Sequence, residues 1–252
     1  MSDPWLAPWA FILLRFAAMI VCGLKFPRAK DMAATFELFA VNSLDPAVRG
    51  FLDHPAKPNQ NGLLFTHGAG GNAKGAMLAA LADAFSGAGF TVLRCDLPFR
   101  QSRSFGPPRP GDADRDRQGL KNAVQEMRKL VSGKVFLGGQ SYGGRQATML
   151  CADEPGLAEG LFLTSYPLHP PGKPQQLRVQ HFPRLRTPML VIQGTRDPFG
   201  TIEEVEKALP LVPARTKLVP VEGVGHDLGF SGKKRLDSLP AMALENFLSF
   251  FG

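Results

Sequence analysis

Cysteine and histidine are both scarce, three and five respectively in a chain of 252 residues. Cys22, Cys95 and Cys151 show no CxxC pair and no Cys/His spacing of a metal site. An odd count builds no disulfide framework. All three are therefore read as thiols in a reducing, cytoplasmic setting. Cys95 falls in the strand-like TVLRCDL and Cys151 in a helix-like run, where small side chains are usually buried. Basic runs are missing too. The net charge is +7, yet the clusters at Lys25/Arg28/Lys30, Arg100/Arg103/Arg109 and Lys233/Lys234/Arg235 are short and dispersed. Solvated loop charge explains them, and no nucleic-acid partner is expected.

A long apolar run is also lacking. Residues 9–24 (WAFILLRFAAMIVCGL) are apolar except for Arg15, but fall short of the about 20 residues that a membrane span needs. Their basic residues follow the apolar stretch instead of preceding it, which argues against an export signal. Three readings stay open for residues 1–31: an interfacial helix touching a membrane, a packed extra helix, or sequence upstream of a start at Met32. The expected domain is 32–252. At 44% apolar and 20% charged residues, the chain has the composition of one folded domain.

From residue 33 the pattern is regular. ATFELFAV and AVRGFLDHP read as a hairpin around NSLDP. Strands are expected at 62–68, 90–99, 134–140, 160–168, 188–195 and 216–223. Helices are expected near 73–88, 112–131, 143–153, 201–209 and 237–250. The segment FRQSRSFGPPRPGD, rich in breakers, is expected to be loop throughout. Strand–helix alternation from residue 62 specifies an α/β fold, a mostly parallel sheet with helices on both faces.

The chemistry sits in the turns. Gly139-Gln140-Ser141-Tyr142-Gly143 follows an apolar strand and opens a helix, the frame in which G-x-S-x-G raises a serine above a sheet. A serine nucleophile needs a base. His226, in the glycine-lined GVGHD past the last strand, is the expected one, with Asp197 in QGTRDPFG orienting it. Asp227 is the rival acid, but a sequence neighbour reaches poorly round to the far ring nitrogen. FTHGAGGN supplies flexible backbone for an oxyanion hole, made by the N–H groups of Ala69 and Tyr142. His67 is read as a brace for that loop. Gly68-x-Gly70-x-x-Ala73 is also a partial dinucleotide fingerprint, but there is no Tyr-x-x-x-Lys pair, and the fingerprint explains neither Asp197 nor His226. No Walker A motif occurs, and no metal or organic cofactor is implied.

With these residues assembled, FTHGAGGN, VFLGGQSYGGR, LTSYPLHPPGKPQQLR, LVIQGTRDPF and GVGHDLG resemble the KANL/Tex-type α/β-hydrolase-like family, a neighbour of the dienelactone hydrolases. SYPLHPPGKP is the most specific of these segments. The resemblance implies the α/β-hydrolase fold and a serine hydrolase acting on a small ester, thioester or lactone. Because relatives include scaffold-like proteins, an interaction module without turnover is the alternative. The stretch between Ser141 and Asp197 is too short to hold a helical lid as well, so loops 99–111 and 169–187 should cover the pocket. Phe99, Arg100, Phe105, Phe199 and Phe230 are expected to line it, with Arg100 and Arg103 tolerating a negative substrate. Arg145 has the choice of binding an anion or bracing a loop carboxylate such as Asp96, and the second is expected. His169 is expected as a surface-loop residue. Oligomeric state is not legible.

Overall fold

The computed structural model describes residues 35–231 and 236–252. Expectations for residues 1–31, including Cys22, and for the basic cluster at 233–235 lie outside those residues. No described helix is long and apolar enough to cross a membrane.

Eight strands form one sheet in the order β1-β2-β4-β3-β5-β6-β7-β8. They are β1 (Thr35–Val41), β2 (Val48–His54), β3 (Gly62–Thr66), β4 (Thr91–Cys95), β5 (Val135–Gln140), β6 (Gly160–Thr164), β7 (Met189–Gly194) and β8 (Thr216–Val221). The β1–β2 hairpin is antiparallel, and β2 pairs antiparallel with β4; all later neighbours run parallel. The helices are α1 (Ala76–Gly87), α2 (Pro98–Ser102), α3 (Asp112–Leu130), α4 (Ser141–Asp153), α5 (Ile202–Ala208) and α6 (Leu239–Phe251).

The period-2 alternation of each central strand feeds two cores. Leu63 and Phe65 of β3, Phe136 of β5, Phe162 of β6, and Leu190 and Ile192 of β7 pack with Leu81 and Phe85 of α1 and Phe247 of α6. Leu64, Leu137, Leu161, Leu163 and Val191 face the opposite way, onto Leu120 and Val124 of α3 and Ala147 and Leu150 of α4. Both faces are therefore dry, as parallel strands require. Phe85, Phe162 and Phe247 meet with ring centroids 4.9–5.7 Å apart, mostly edge to face. Each buried phenylalanine contributes roughly 2–3 kcal/mol by removal from water.

One expectation fails. The segment after β4 is not all loop, because Pro98–Ser102 is helical. Pro98 stands at the first turn, where its fixed φ and missing N–H cost nothing. Asp116 of α3 accepts the Phe99 N–H at 2.9 Å and secures the turn. That acceptor comes from a distant helix, beyond the reach of a local reading of the breakers.

Candidate active site

The carboxyl ends of the central strands deliver the site. β5 passes into α4 with no intervening residue, and Ser141 takes φ +50° at the junction. A non-glycine residue in that region costs of order 1–3 kcal/mol, and the packing around it must hold it there. The flanking glycines explain how. A Cβ on Gly143 would lie 2.5 Å from His67 O, and one on Gly139 2.7 Å from Gly144 N. Only bare backbone fits so tight a turn beside β3.

Ser141 Oγ lies 2.7 Å from His226 Nε2. On the other side of the ring, His226 Nδ1 lies 2.9 and 2.8 Å from the two carboxylate oxygens of Asp197. With the Nδ1 proton donated to the acid, Nε2 is left to accept the serine proton. Asp197 is 2% exposed at the end of β7. His226 approaches because β7 ends in Gly194, where a Cβ would meet Val224 O at 2.5 Å and Gly225 O at 2.6 Å. Phe199 stacks on the imidazole with ring centroids 4.1 Å apart. Asp227 turns elsewhere, accepting the N–H groups of Gly229 at 3.1 Å and Ser231 at 2.8 Å. Burial alone would raise its pKa; those hydrogen bonds outweigh it and hold the group below the usual carboxylate range.

The loop after β3 is organised by His67. Its Nδ1–H donates to Gly68 O at 2.8 Å, and its Nε2 accepts the Leu97 N–H at 3.1 Å. Burial lowers its pKa, so the ring stays neutral. Tying down the Gly68 carbonyl fixes the whole trans peptide, so the Ala69 N–H must point the opposite way. The Tyr142 N–H heads α4, a helix with no side-chain cap and therefore with first-turn donors to offer. Among the described residues, neither N–H is spent on a loop or cap hydrogen bond.

Ser141, His226, Ala69 and Tyr142 open onto a cavity of about 660 Å³, whose other walls include Pro107, Pro108, Arg145, Pro167, Arg178 and Phe199. Loops alone cover it. Of the five side chains expected at the pocket, Phe199 lines it and the others stand elsewhere. Phe99 is 2% exposed and packs edge-on against His67 and Tyr142, so core burial claims it. Phe105 is 83% exposed, beside a neighbouring groove formed by residues 102–110. Phe230 packs against the core beneath α1 and α6. Arg100 is buried and donates to the carbonyls of Gly71, Ala69, Gly106 and Arg103, which makes it a strut of the loop after β3. Arg103 is paired with Asp112 at 2.8 Å.

Two histidine and arginine expectations also change. His169 is 5% exposed, not a surface residue, and meets Glu204 of α5 at 3.1 Å. Its N–H donates to Phe199 O at 3.0 Å, which joins the 169–187 loop to the Asp197 turn. Arg145 does not brace Asp96, which accepts the Ala73 N–H at 2.7 Å. The remaining histidines sit apart from the cavity, His54 against Glu37 and His181 against Thr148.

Two residues escaped the sequence reading. Gln193, buried on β7, donates through Nε2 to Asp197 Oδ2 at 3.0 Å and to Gly200 O at 3.1 Å, while its Oε1 accepts the Tyr166 N–H at 2.8 Å. Asp116 accepts from Tyr142 OH at 2.8 Å as well as from Phe99 N–H. A polar residue ending an apolar strand, as in LVIQGT, was the available signal for Gln193. Among the described residues, no group of three His, Cys, Asp or Glu is placed to hold a metal ion.

Residues 59–248 match the family model described as an alpha/beta hydrolase domain. The chain belongs to the alpha/beta hydrolases. A dienelactone hydrolase from Anabaena variabilis superposes with a TM-score of 0.68 at 21% identity, over 88% of this chain and 100% of that one. A serine hydrolase without a lid from Xanthomonas campestris gives 0.68 at 18%, over 87% and 97%. An alpha-beta serine hydrolase homologue from Coxiella burnetii gives 0.67 at 19%, over 85% and 99%. At these identities the likeness is one of fold. Like its Xanthomonas neighbour, this alpha/beta hydrolase carries no lid domain among the described residues.

Proposed function

We propose that this alpha/beta hydrolase cleaves a small carboxylic ester, thioester or lactone through an acyl-enzyme on Ser141. The observation that carries the reading is the unbroken chain Asp197–His226–Ser141, with contacts of 2.7–2.9 Å, opening onto one cavity. Ser141 Oγ attacks the acyl carbon while its proton passes to His226 Nε2. Charge developing on the carbonyl oxygen is met by the Ala69 and Tyr142 N–H groups and by the amino-terminal dipole of α4. The tetrahedral intermediate collapses as His226 returns the proton to the leaving alkoxide or thiolate. Water, deprotonated by the same Nε2, then releases the acid and restores Ser141. Asp197 keeps the imidazole in the useful tautomer and stabilises the imidazolium. Within the alpha/beta hydrolases we assign the chain to the KANL/Tex-type branch, on SYPLHPPGKP and the GGQSYGGR elbow.

The cavity volume and its loop cover favour short acyl groups. In a p-nitrophenyl ester series, acyl chains of about two to four carbons should give higher kcat/KM than chains of about ten or more, a size limit set by the modest pocket. The rate should show no jump above the critical micelle concentration, and Ser141→Ala should abolish it. A maximum at long chains, or activation at the interface, would contradict the small-ester reading.

A further inference from the structure

The cavity carries unpaired positive charge. Arg145 follows Ser141 by one turn of α4, a spacing that leaves the two Cβ atoms about 5–6 Å apart on one face. Both residues line the cavity. Arg145 Nε is buried without a hydrogen-bond partner. Nearby acids are engaged by other groups: Asp116 by Tyr142 and Phe99, Asp153 by Arg184, and Glu204 by His169. Arg178, from the 169–187 loop, lines the same cavity, and its one described side-chain hydrogen bond is a 3.5 Å contact to Pro167 O. Burial, and next the charge of Arg145, lower its pKa, so the two cations are close enough to repel.

Two guanidinium groups, partly desolvated and with no acid paired to either among the described residues, are costly to hold together. Arg94, Arg103, Arg115, Arg117 and Arg184 are paired with carboxylates and Arg100 is spent on four carbonyls, whereas no acid among the described residues is paired with Arg145 or Arg178. A leaving group must lie against His226 to receive its proton. The acyl part is then left the other walls of the cavity, which include Arg145 and Arg178. Pro107, Pro108 and Pro167 line it with apolar surface, suited to a short hydrocarbon link.

We propose that Arg145 and Arg178 form an anion subsite that binds a carboxylate carried on the acyl group, a few bonds from the scissile carbonyl. This rests on the Ser141 hydrolase reading and names its substrate class: a half-ester, or a lactone bearing an acid group. Planar guanidinium forks suit carboxylates better than a lysine would.

The test compares background-corrected hydrolysis of p-nitrophenyl monoglutarate with that of p-nitrophenyl pentanoate, matched in carbon number. The full chain should prefer the charged ester by about tenfold or more in kcat/KM, the worth of one charge-assisted hydrogen bond. Arg145→Gln and Arg178→Gln should each bring the charged-to-neutral ratio close to one, and Arg145→Lys should restore part of it. Equal rates for the two esters, or a ratio that survives both glutamine variants, would overturn the subsite. Glutarate binding to Ser141→Ala protein, followed by calorimetry, separates this from the hydrolase reading. If neither ester is cleaved, that reading fails, and binding alone decides the subsite. Saturable binding that is lost with Arg145→Gln supports it, and no binding overturns it.

Discussion

Asp197 accepts four contacts: two from His226 Nδ1, one from the Phe199 N–H at 2.8 Å and one from Gln193 Nε2 at 3.0 Å. The Phe199 and Gln193 contacts hold the acid independently of the histidine, which takes its orientation from it. Asp197→Asn should fold normally and lose roughly four orders of magnitude in kcat, because the wrong tautomer then faces Ser141. Near-normal turnover in that variant would hand the role to another carboxylate. Gln193→Met should act more mildly through the same atoms, lowering kcat about tenfold with KM little changed, because an acid held by one donor fewer orients the imidazole less firmly. A kcat normalised to the folded fraction separates this from simple loss of stability, which would leave the normalised value in place. Ser141, His226 and Asp197 were legible because each stands in a local motif at a strand end. Gln193 and Asp116 were not, since their partners are contributed by other elements.

At the scale of elements, the sharp passage from β5 to α4 is the feature on which the site depends. It was legible because glycine is the only residue that answers a close backbone approach, and Gly139 and Gly143 bracket the serine at the needed spacing. Gly143→Ala should cost roughly 2–3 kcal/mol, or about 4–12 °C in Tm, because the new methyl meets fixed backbone at His67 O. Gly87→Ala is the control. It sits at the end of α1 with nothing within 4 Å of the added atom, and should leave Tm unchanged or slightly raised. A scan showing equal melting for both variants would mean that the turn is looser than its contacts indicate. The helix α2 marks the limit of local reading. Proline, glycine and arginine around residue 105 spelled a loop, whereas Asp116 of α3 stabilises a helical turn at 98–102.

For the whole molecule, hydrophobic alternation was enough to give a parallel sheet covered on both faces, since buried strands and amphipathic helices each leave their own period. Which arginines point inward is set by tertiary packing and leaves no period to read. Arg100 was expected at the pocket and is spent on carbonyls of the loop after β3; Arg145 was expected at a carboxylate and lines the cavity instead. The fold itself does not guarantee turnover, because catalysis lives in the site grafted onto it. The most direct measurement is labelling of the full chain with a fluorophosphonate probe, read by peptide mass spectrometry. One label per chain is expected on the peptide carrying Ser141, absent in Ser141→Ala and slowed in Asp197→Asn. Folded protein that takes no label, or takes it at another serine, would contradict the assignment of Ser141 as the nucleophile.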